Sequence, residues 1–127
     1  IAGVIAISGP YDVQYLGNSL FLGLGLVIPA FGPSKETWRA VSPATHLTSA
    51  RPPPFLVAWA DTDPALLHRD ARKFSEALRR AGVEVETFEA PLRGHLSVIT
   101  GLGAEGDELG DVVVRYVTRP RGTQAAR

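Results

Sequence analysis

The stretch FLVAWADTDP, residues 55–64, joins six apolar residues to a polar turn that carries two carboxylates. An unbroken apolar run of this length is typical of a strand that is covered on both faces, as in the centre of a parallel sheet. After the turn, the apolar side chains of residues 65–81 recur at spacings of four and three, which predicts an amphipathic helix. Gly82 follows, where such a helix commonly ends in the left-handed conformation. The stretch therefore predicts a strand, a turn and a helix.

Two further strands and a last helix are predicted around this unit. The apolar run Val4–Ile7 predicts a strand that is buried on both faces. Residues 83–90 predict a strand nearer the sheet edge, because Glu84 and Glu86 place charge on one of its faces. An apolar stripe predicts a helix over residues 107–118. Strands that alternate with helices imply right-handed crossovers, so the predicted fold class is α/β, with a three-layer, mostly parallel sheet and flanking helices.

The chain has the length of one domain, which we place at residues 1–118. Between the first two strands lies an irregular segment, about residues 13–48, that we expect to be an insert or a cap. Its apolar, glycine-rich patch at residues 20–31 could line an acyl or aryl pocket, or could pack in the core. Residues 119–127 are predicted to be a disordered tail, because from Arg121 onward no apolar side chain is larger than Ala.

Composition excludes several classes of function. The 127 residues contain 13 basic and 13 acidic side chains, which excludes a strongly basic nucleic-acid-binding protein. The chain has no Cys, which excludes disulfides, thiolate zinc sites and a cysteine nucleophile. Its longest apolar stretch is far shorter than the roughly 20 residues that span a bilayer, and the pattern of a secretory leader is missing. We therefore expect a cytoplasmic protein that binds neither nucleic acid nor membrane.

The three histidines, His46, His68 and His95, do not have the spacing of metal ligands. We therefore expect no metal and no cofactor. His46 and His68 are interpreted as surface or helix-end residues.

Side chains that can take part in acid–base chemistry follow two of the predicted strands. Asp61 and Asp63 come after the central strand, and His95 follows the next strand, 32 residues beyond Asp63. That separation is one strand–helix–strand crossover, and neighbouring parallel strands bring their C-terminal loops side by side. A carboxylate there can accept a hydrogen bond from the imidazole and fix its tautomer. The alternatives are that Asp63 only caps the following helix and that His95 is a surface loop residue.

Four short segments stand in an order and spacing that point to one enzyme family. They are residues 7–12 (ISGPYD), residues 42–43 (SP) before residues 53–57 (PPFLV), residues 60–64 (ADTDP) and residues 94–99 (GHLSVI). In this order they resemble the strand end that follows the nucleophile helix, the approach to the acid-bearing strand, the acid turn and the histidine loop of α/β-hydrolase esterases. The closest resemblance is to the arylformamidase-like (kynurenine formamidase-like) and small esterase/lipase branch.

The resemblance implies that Asp63 is the catalytic acid and His95 the general base of a Ser-Asp-His triad, with Asp61 as a turn residue. It also implies hydrolysis of a small-molecule carboxylic ester or N-formyl amide. The GxSxG elbow and the HGG-type oxyanion loop of the family are missing from the chain. Ser19 follows half of an elbow, but Phe21 stands where the elbow needs Gly.

The missing elbow agrees with the way the chain starts. It has no Met, and it opens at Ile1 within an apolar run. We therefore expect a fragment whose N-terminal half, with the nucleophile, lies upstream, and which is inactive by itself. Two other functions stay open: a non-catalytic α/β module for binding or oligomerisation, with a possible homodimer, and a prolyl-peptidase-type hydrolase domain.

Overall fold

The computed structural model describes residues 2–47 and 52–120. Its strands are β1 (Val4–Ile7), β2 (Phe55–Ala60) and β3 (Val85–Ala90). They form one parallel sheet in the order β1-β2-β3, which confirms the predicted α/β fold. In the register of the sheet, Ala60 lies beside Ala90, so β2 and β3 end at the same level and release their loops side by side.

Helices flank the sheet. They are α1 (Val13–Gly17), α2 (Leu20–Leu22), α3 (Ile28–Phe31), α4 (Lys35–Val41), α5 (Ala65–Arg80), α6 (Ser97–Thr100) and α7 (Glu108–Thr118). A π-helical turn, Gly23–Val27, joins α2 to α3, and a 3-10 turn, Pro43–Thr45, follows α4. The predictions of the two long helices, α5 and α7, are confirmed. Gly82 has a φ of +78° after α5, the left-handed conformation that was expected to end this helix.

β2 is the central strand, and its side chains enter the core on both faces. Val57 and Trp59 pack against the buried stripe of α5. Leu56, Ala58 and Ala60 point to the opposite side, where α6 and α7 supply the buried neighbours. The two-residue period of a strand produces this division, and the cover on both faces explains the unbroken apolar run in the sequence.

β1 differs from the expectation of a strand buried on both faces. Its residues are half-buried or exposed, and Ile5 is 36% exposed. The reason is its position at the border of the sheet, since no described strand other than β2 pairs with it. β3 lies at the opposite border, as Glu84 and Glu86 predicted.

The segment expected to be irregular, about residues 13–48, is helical over most of its described length. α1 and α4 begin at side-chain caps. Asp12 accepts a hydrogen bond from the Tyr15 N–H at 2.9 Å, and Ser34 accepts one from the Thr37 N–H at 3.3 Å. The role of this segment as an insert or a cap stays a prediction.

The apolar patch at residues 20–31 is divided between core and surface. Leu22 and Val27 are buried in a cluster beneath this segment, which agrees with core packing. Leu20 and Phe21 are instead 80% and 83% exposed. That the patch lines an acyl or aryl pocket stays a prediction.

The end of the chain was expected to be a disordered tail from residue 119. Arg119 is described and lies 3.0 Å from a carboxylate oxygen of Glu84, whereas residues 121–127 lie outside the described residues. Among the helices of residues 2–47 and 52–120, none has both the length and the apolar character to cross a membrane.

Candidate active site

Asp63 and His95 lie in contact where β2 and β3 end. Asp63 stands in the turn between β2 and α5, and His95 stands in the loop between β3 and α6. The Oδ1 atom of Asp63 lies 2.8 Å from Nδ1 of His95. The Asp63 side chain is fully buried, whereas the imidazole is 48% exposed. The structure therefore brings together the carboxylate and the imidazole that the sequence predicted as neighbours.

Asp61 ties the two loops together. Its carboxylate accepts hydrogen bonds from the backbone N–H of Leu92 at 2.7 Å and of Arg93 at 3.0 Å. These bonds, first that from Leu92, hold the pKa of Asp61 below its usual range. The Thr62 hydroxyl adds a bond to the carbonyl oxygen of Arg93 at 2.8 Å. Asp61 is therefore more than the turn residue that the sequence indicated, because it fixes the loop that carries His95.

The second carboxylate oxygen of Asp63 has two donors. The Ser8 hydroxyl, at the end of β1, donates to Oδ2 at 2.6 Å, and the Ala60 N–H donates to it at 3.0 Å. The interpretation of Ser8 as a strand-end hydrogen-bonding residue is thus confirmed. Because an ionised carboxylate only accepts hydrogen bonds, its contact with His95 assigns the proton of the neutral imidazole to Nδ1.

Asp70 is a second buried carboxylate, and it anchors the loop after β1. It lies in α5 at 1% exposure, and its Oδ2 accepts bonds from the N–H of Tyr11 at 2.7 Å and of Asp12 at 3.1 Å. Burial raises the pKa of Asp70, against the opposite effect of these donors. Asp70 is not among the site residues that were predicted from the sequence. The available signal was its position on the apolar stripe of α5, between Leu67 and Phe74.

The other two histidines bind backbone carbonyl groups. Nε2 of His68, in the first turn of α5, lies 2.6 Å from the oxygen of Ala60. Nε2 of His46 lies 2.7 Å from the oxygen of Ala40. Both positions agree with surface or helix-end residues. In the part of the chain that the structure describes, no three metal-ligating side chains converge.

Residues of α6 anchor the loop that carries His95. Val98 of α6 is buried in the core, and the Ser97 hydroxyl accepts a bond from the Gly94 N–H at 2.8 Å. A cavity of about 190 Å³ lies beside this loop, lined by residues 90–93 and 106–109. Asp63 and His95 do not line it. The cavity is therefore separate from the contact between the carboxylate and the imidazole.

The arrangement can carry out acid–base chemistry. With its proton on Nδ1, the imidazole presents Nε2 as a base that can take a proton from a hydroxyl group. Among the described residues, none forms a hydrogen bond with Nε2. Ser19 is engaged elsewhere, since its hydroxyl caps α2 by accepting a bond from the Leu22 N–H at 3.4 Å. The described residues thus present a base and its carboxylate partner, without a nucleophile in contact with them.

Comparison with known proteins identifies the fold. No protein-family model and no curated protein matches the chain. Thermogutta terrifontis esterase 2, phosphonylated by sarin, matches with a TM-score of 0.65 at 19% identity, over 94% of this chain and 46% of that one. Pyrococcus horikoshii acylaminoacyl peptidase matches with a TM-score of 0.64 at 20% identity, over 80% of this chain and 17% of that one. A truncated carbohydrate esterase from gut microbiota matches with a TM-score of 0.55 at 18% identity, over 75% and 35%.

The chain therefore has an α/β-hydrolase fold, like these esterases and this peptidase. It spans less than half the length of the Thermogutta esterase, 45% in the native structure. At about 20% identity, the likeness is one of fold.

Proposed function

We propose that Asp63 and His95 are the acid and the base of a Ser-Asp-His triad in a serine hydrolase. The observation that carries this proposal is the 2.8 Å contact between Oδ1 and Nδ1. The position of the pair, after neighbouring parallel strands, supports it, because ligands of such sheets bind beyond the C-terminal ends of the strands. The chain order also agrees with that of α/β-hydrolases, in which the acid precedes the histidine.

In this proposal, a segment that precedes Ile1 supplies the serine. Nε2 of His95 takes the proton of the serine hydroxyl as its oxygen attacks the acyl carbon. Asp63 keeps the other proton on Nδ1 and stabilises the imidazolium that forms. The imidazolium then gives its proton to the leaving alcohol or amine. In the second half-reaction, Nε2 deprotonates the water molecule that releases the acid.

A carboxylic ester is the substrate class that we propose first. Structures of the Thermogutta esterase with propionate and with butyrate bound share the fold of this chain, which supports a short acyl group. An N-formyl amide is the alternative substrate class, and it rests on the resemblance of four sequence segments to arylformamidase-like enzymes. A peptide substrate is the second candidate, favoured by the fold shared with acylaminoacyl peptidase.

The test begins with the coding sequence upstream of Ile1. We expect a GxSxG elbow within about 30 residues, the length of a βα unit of this kind. The longer protein is then assayed with p-nitrophenyl acetate, an N-formyl anilide and an acylated amino-acid amide. His95→Ala should lower kcat by about four to six orders of magnitude. His46→Ala is the matched control, since the hydrogen bond of this exposed imidazole among the described residues is to a backbone carbonyl, and it should retain activity.

The absence of a serine elbow, or full activity in His95→Ala, would contradict the proposal. Either result would favour a non-catalytic module. A β-propeller-like region upstream, together with turnover of the acylated amide alone, would favour the peptidase.

A further inference from the structure

We propose that Ser8 is a positioning residue for the pair of Asp63 and His95. Its hydroxyl fixes the rotation of the Asp63 carboxyl group, so that Oδ1 points at Nδ1 of His95. The effect of Ser8 on the rate of turnover rests on the proposed function. Its effect on the geometry of Asp63 and His95 can be tested in this chain alone.

The contacts of Asp63 are the first support. Its side chain is fully buried, so protein donors and not water set its orientation. The bond from the Ser8 hydroxyl, at 2.6 Å, is the shortest that the carboxylate accepts, and bonds to a charged acceptor are the strong ones. The other donor to Oδ2, the Ala60 N–H, is shared, since it lies 3.0 Å from Oδ2 and 3.3 Å from the Ser8 hydroxyl. Without the Ser8 hydroxyl, the Ala60 N–H would be the one donor among the described residues that remains for Oδ2.

The backbone of Ser8 is the second support. Its φ of +46° lies in the left-handed region, which is unfavourable for a residue with a Cβ atom. Glycine would adopt this conformation freely but would lack the hydroxyl. Strained residues held by their surroundings are typical of functional positions. In this conformation the Ser8 hydroxyl donates to Asp63.

Both sides of Ser8 are fixed by neighbouring elements. On one side, its N–H donates to the carbonyl oxygen of Ala58 in β2 at 2.9 Å. On the other side, Asp70 binds the N–H groups of Tyr11 and Asp12, which holds the following turn against α5. The position of the hydroxyl therefore follows from the sheet and from α5, and it is set before His95 makes contact.

The test is the tautomer of His95, measured by ¹⁵N NMR in this chain at a pH where the imidazole is neutral. In the wild type, we expect the proton on Nδ1. In Ser8→Gly, the ratio of the Nδ1–H to the Nε2–H tautomer should fall about tenfold, the size expected from one hydrogen bond to a charged group. Ser75→Ala is the matched control, because it also removes a buried hydroxyl, but this one donates to the carbonyl oxygen of Ala71 within α5 at 2.8 Å. It should leave the tautomer ratio unchanged.

A second variant separates the effect of losing the hydroxyl from the effect of relieving the backbone strain. Ser8→Ala keeps the strained conformation and loses the hydroxyl, so it should shift the tautomer as Ser8→Gly does and unfold at a lower urea concentration than Ser8→Gly. If one variant does not fold, the other gives the same readout. An unchanged tautomer ratio in a folded Ser8 variant would overturn the proposal, because Ser8 would then support only the fold. An equal shift in Ser75→Ala would overturn it as well.

In the longer protein, Ser8→Gly should lower kcat about tenfold and leave KM unchanged, because Ser8 acts through Asp63 and does not touch the substrate. A tautomer shift without any hydrolase activity in that protein would reject the proposed function and leave the positioning role of Ser8 standing.

Discussion

Two carboxylates, Asp63 before α5 and Asp70 within it, are both buried but have different partners. Asp63 accepts bonds from a hydroxyl, a backbone N–H and an exposed imidazole. Asp70 accepts bonds from backbone N–H groups that are themselves part of the fold. His95 connects Asp63 to solvent, which agrees with the catalytic role that we propose for Asp63, whereas the bonds of Asp70 agree with a structural role.

We expect Asp70→Asn to change how stability depends on pH. The raised pKa means that folded Asp70 binds its proton more tightly than the unfolded chain does. Its contribution to stability is therefore full below the ordinary pKa of about 3.9 and is lost as the pH rises through the raised value. The free energy of unfolding of the wild type, relative to Asp70→Asn, should increase as the pH is lowered. Urea denaturation of both proteins at several pH values measures this difference, and a constant difference would contradict it.

At the residue scale, the sequence predicted the contact between Asp63 and His95 because neighbouring parallel strands release their C-terminal loops side by side, and the resemblance to α/β-hydrolase esterases singled out these two residues. It could not predict which backbone groups Asp61 and Asp70 bind. Those partners depend on the register of β2 beside β3 and on how α5 packs. Neither can be inferred from the local sequence pattern.

At the scale of elements, α1 and α4 pack closely enough that their contact requires glycine. A Cβ atom at Gly17 would lie 2.7 Å from ring atoms of Trp38, well inside van der Waals contact. The indole cannot easily move away, because it is buried and its Nε1–H donates to the carbonyl oxygen of Gly32 at 2.7 Å. This contact helps to hold the segment between β1 and β2 together.

Gly17→Ala should therefore lower the free energy of unfolding by about 1–3 kcal/mol, the usual cost of overpacking a core. Gly25→Ala is the matched control, since no atom lies within 4 Å of the added Cβ atom there. The control should be neutral or more stable by up to about 1 kcal/mol, because Ala favours helix over Gly. Urea unfolding followed by tryptophan fluorescence measures both, and equal stabilities would contradict the packing.

Long elements were predictable, and short ones were not. β2 is an unbroken run of six apolar residues, and α5 shows a clear period of 3.6 residues over several turns. Helices such as α1, with five residues, are too short to show a period and depend on caps and tertiary packing. The degree of burial of β1 was also not predictable. An apolar run shows that a strand is suited to burial, but it does not show which other elements pack against that strand.

At the scale of the whole molecule, the described chain presents an acid–base pair without a hydroxyl in contact with Nε2. We therefore expect this chain alone to show negligible turnover of p-nitrophenyl acetate. Ser19→Ala should not change the background rate, because the Ser19 hydroxyl caps α2. Robust turnover that is lost in Ser19→Ala would contradict the assignment of the nucleophile to a preceding segment.

The open edge of β1 gives a prediction about association. An unpaired edge strand is a template for pairing with another chain, and Ile5 adds exposed apolar surface there. We expect this chain to self-associate in sedimentation experiments as its concentration rises. Ile5→Lys should weaken the association, because charge on an edge strand opposes pairing. A wild-type monomer at all concentrations would contradict this prediction.

We propose that Asp63 and His95 activate a serine from a preceding segment. An organophosphorus probe on the longer protein, followed by mass spectrometry of the modified peptide, tests it most directly. We predict one modified serine upstream of Ile1, a much slower reaction in His95→Ala and in Asp63→Asn, and no modification of this chain alone. A modified serine within residues 1–127, or a rate of modification that does not depend on His95, would contradict the account.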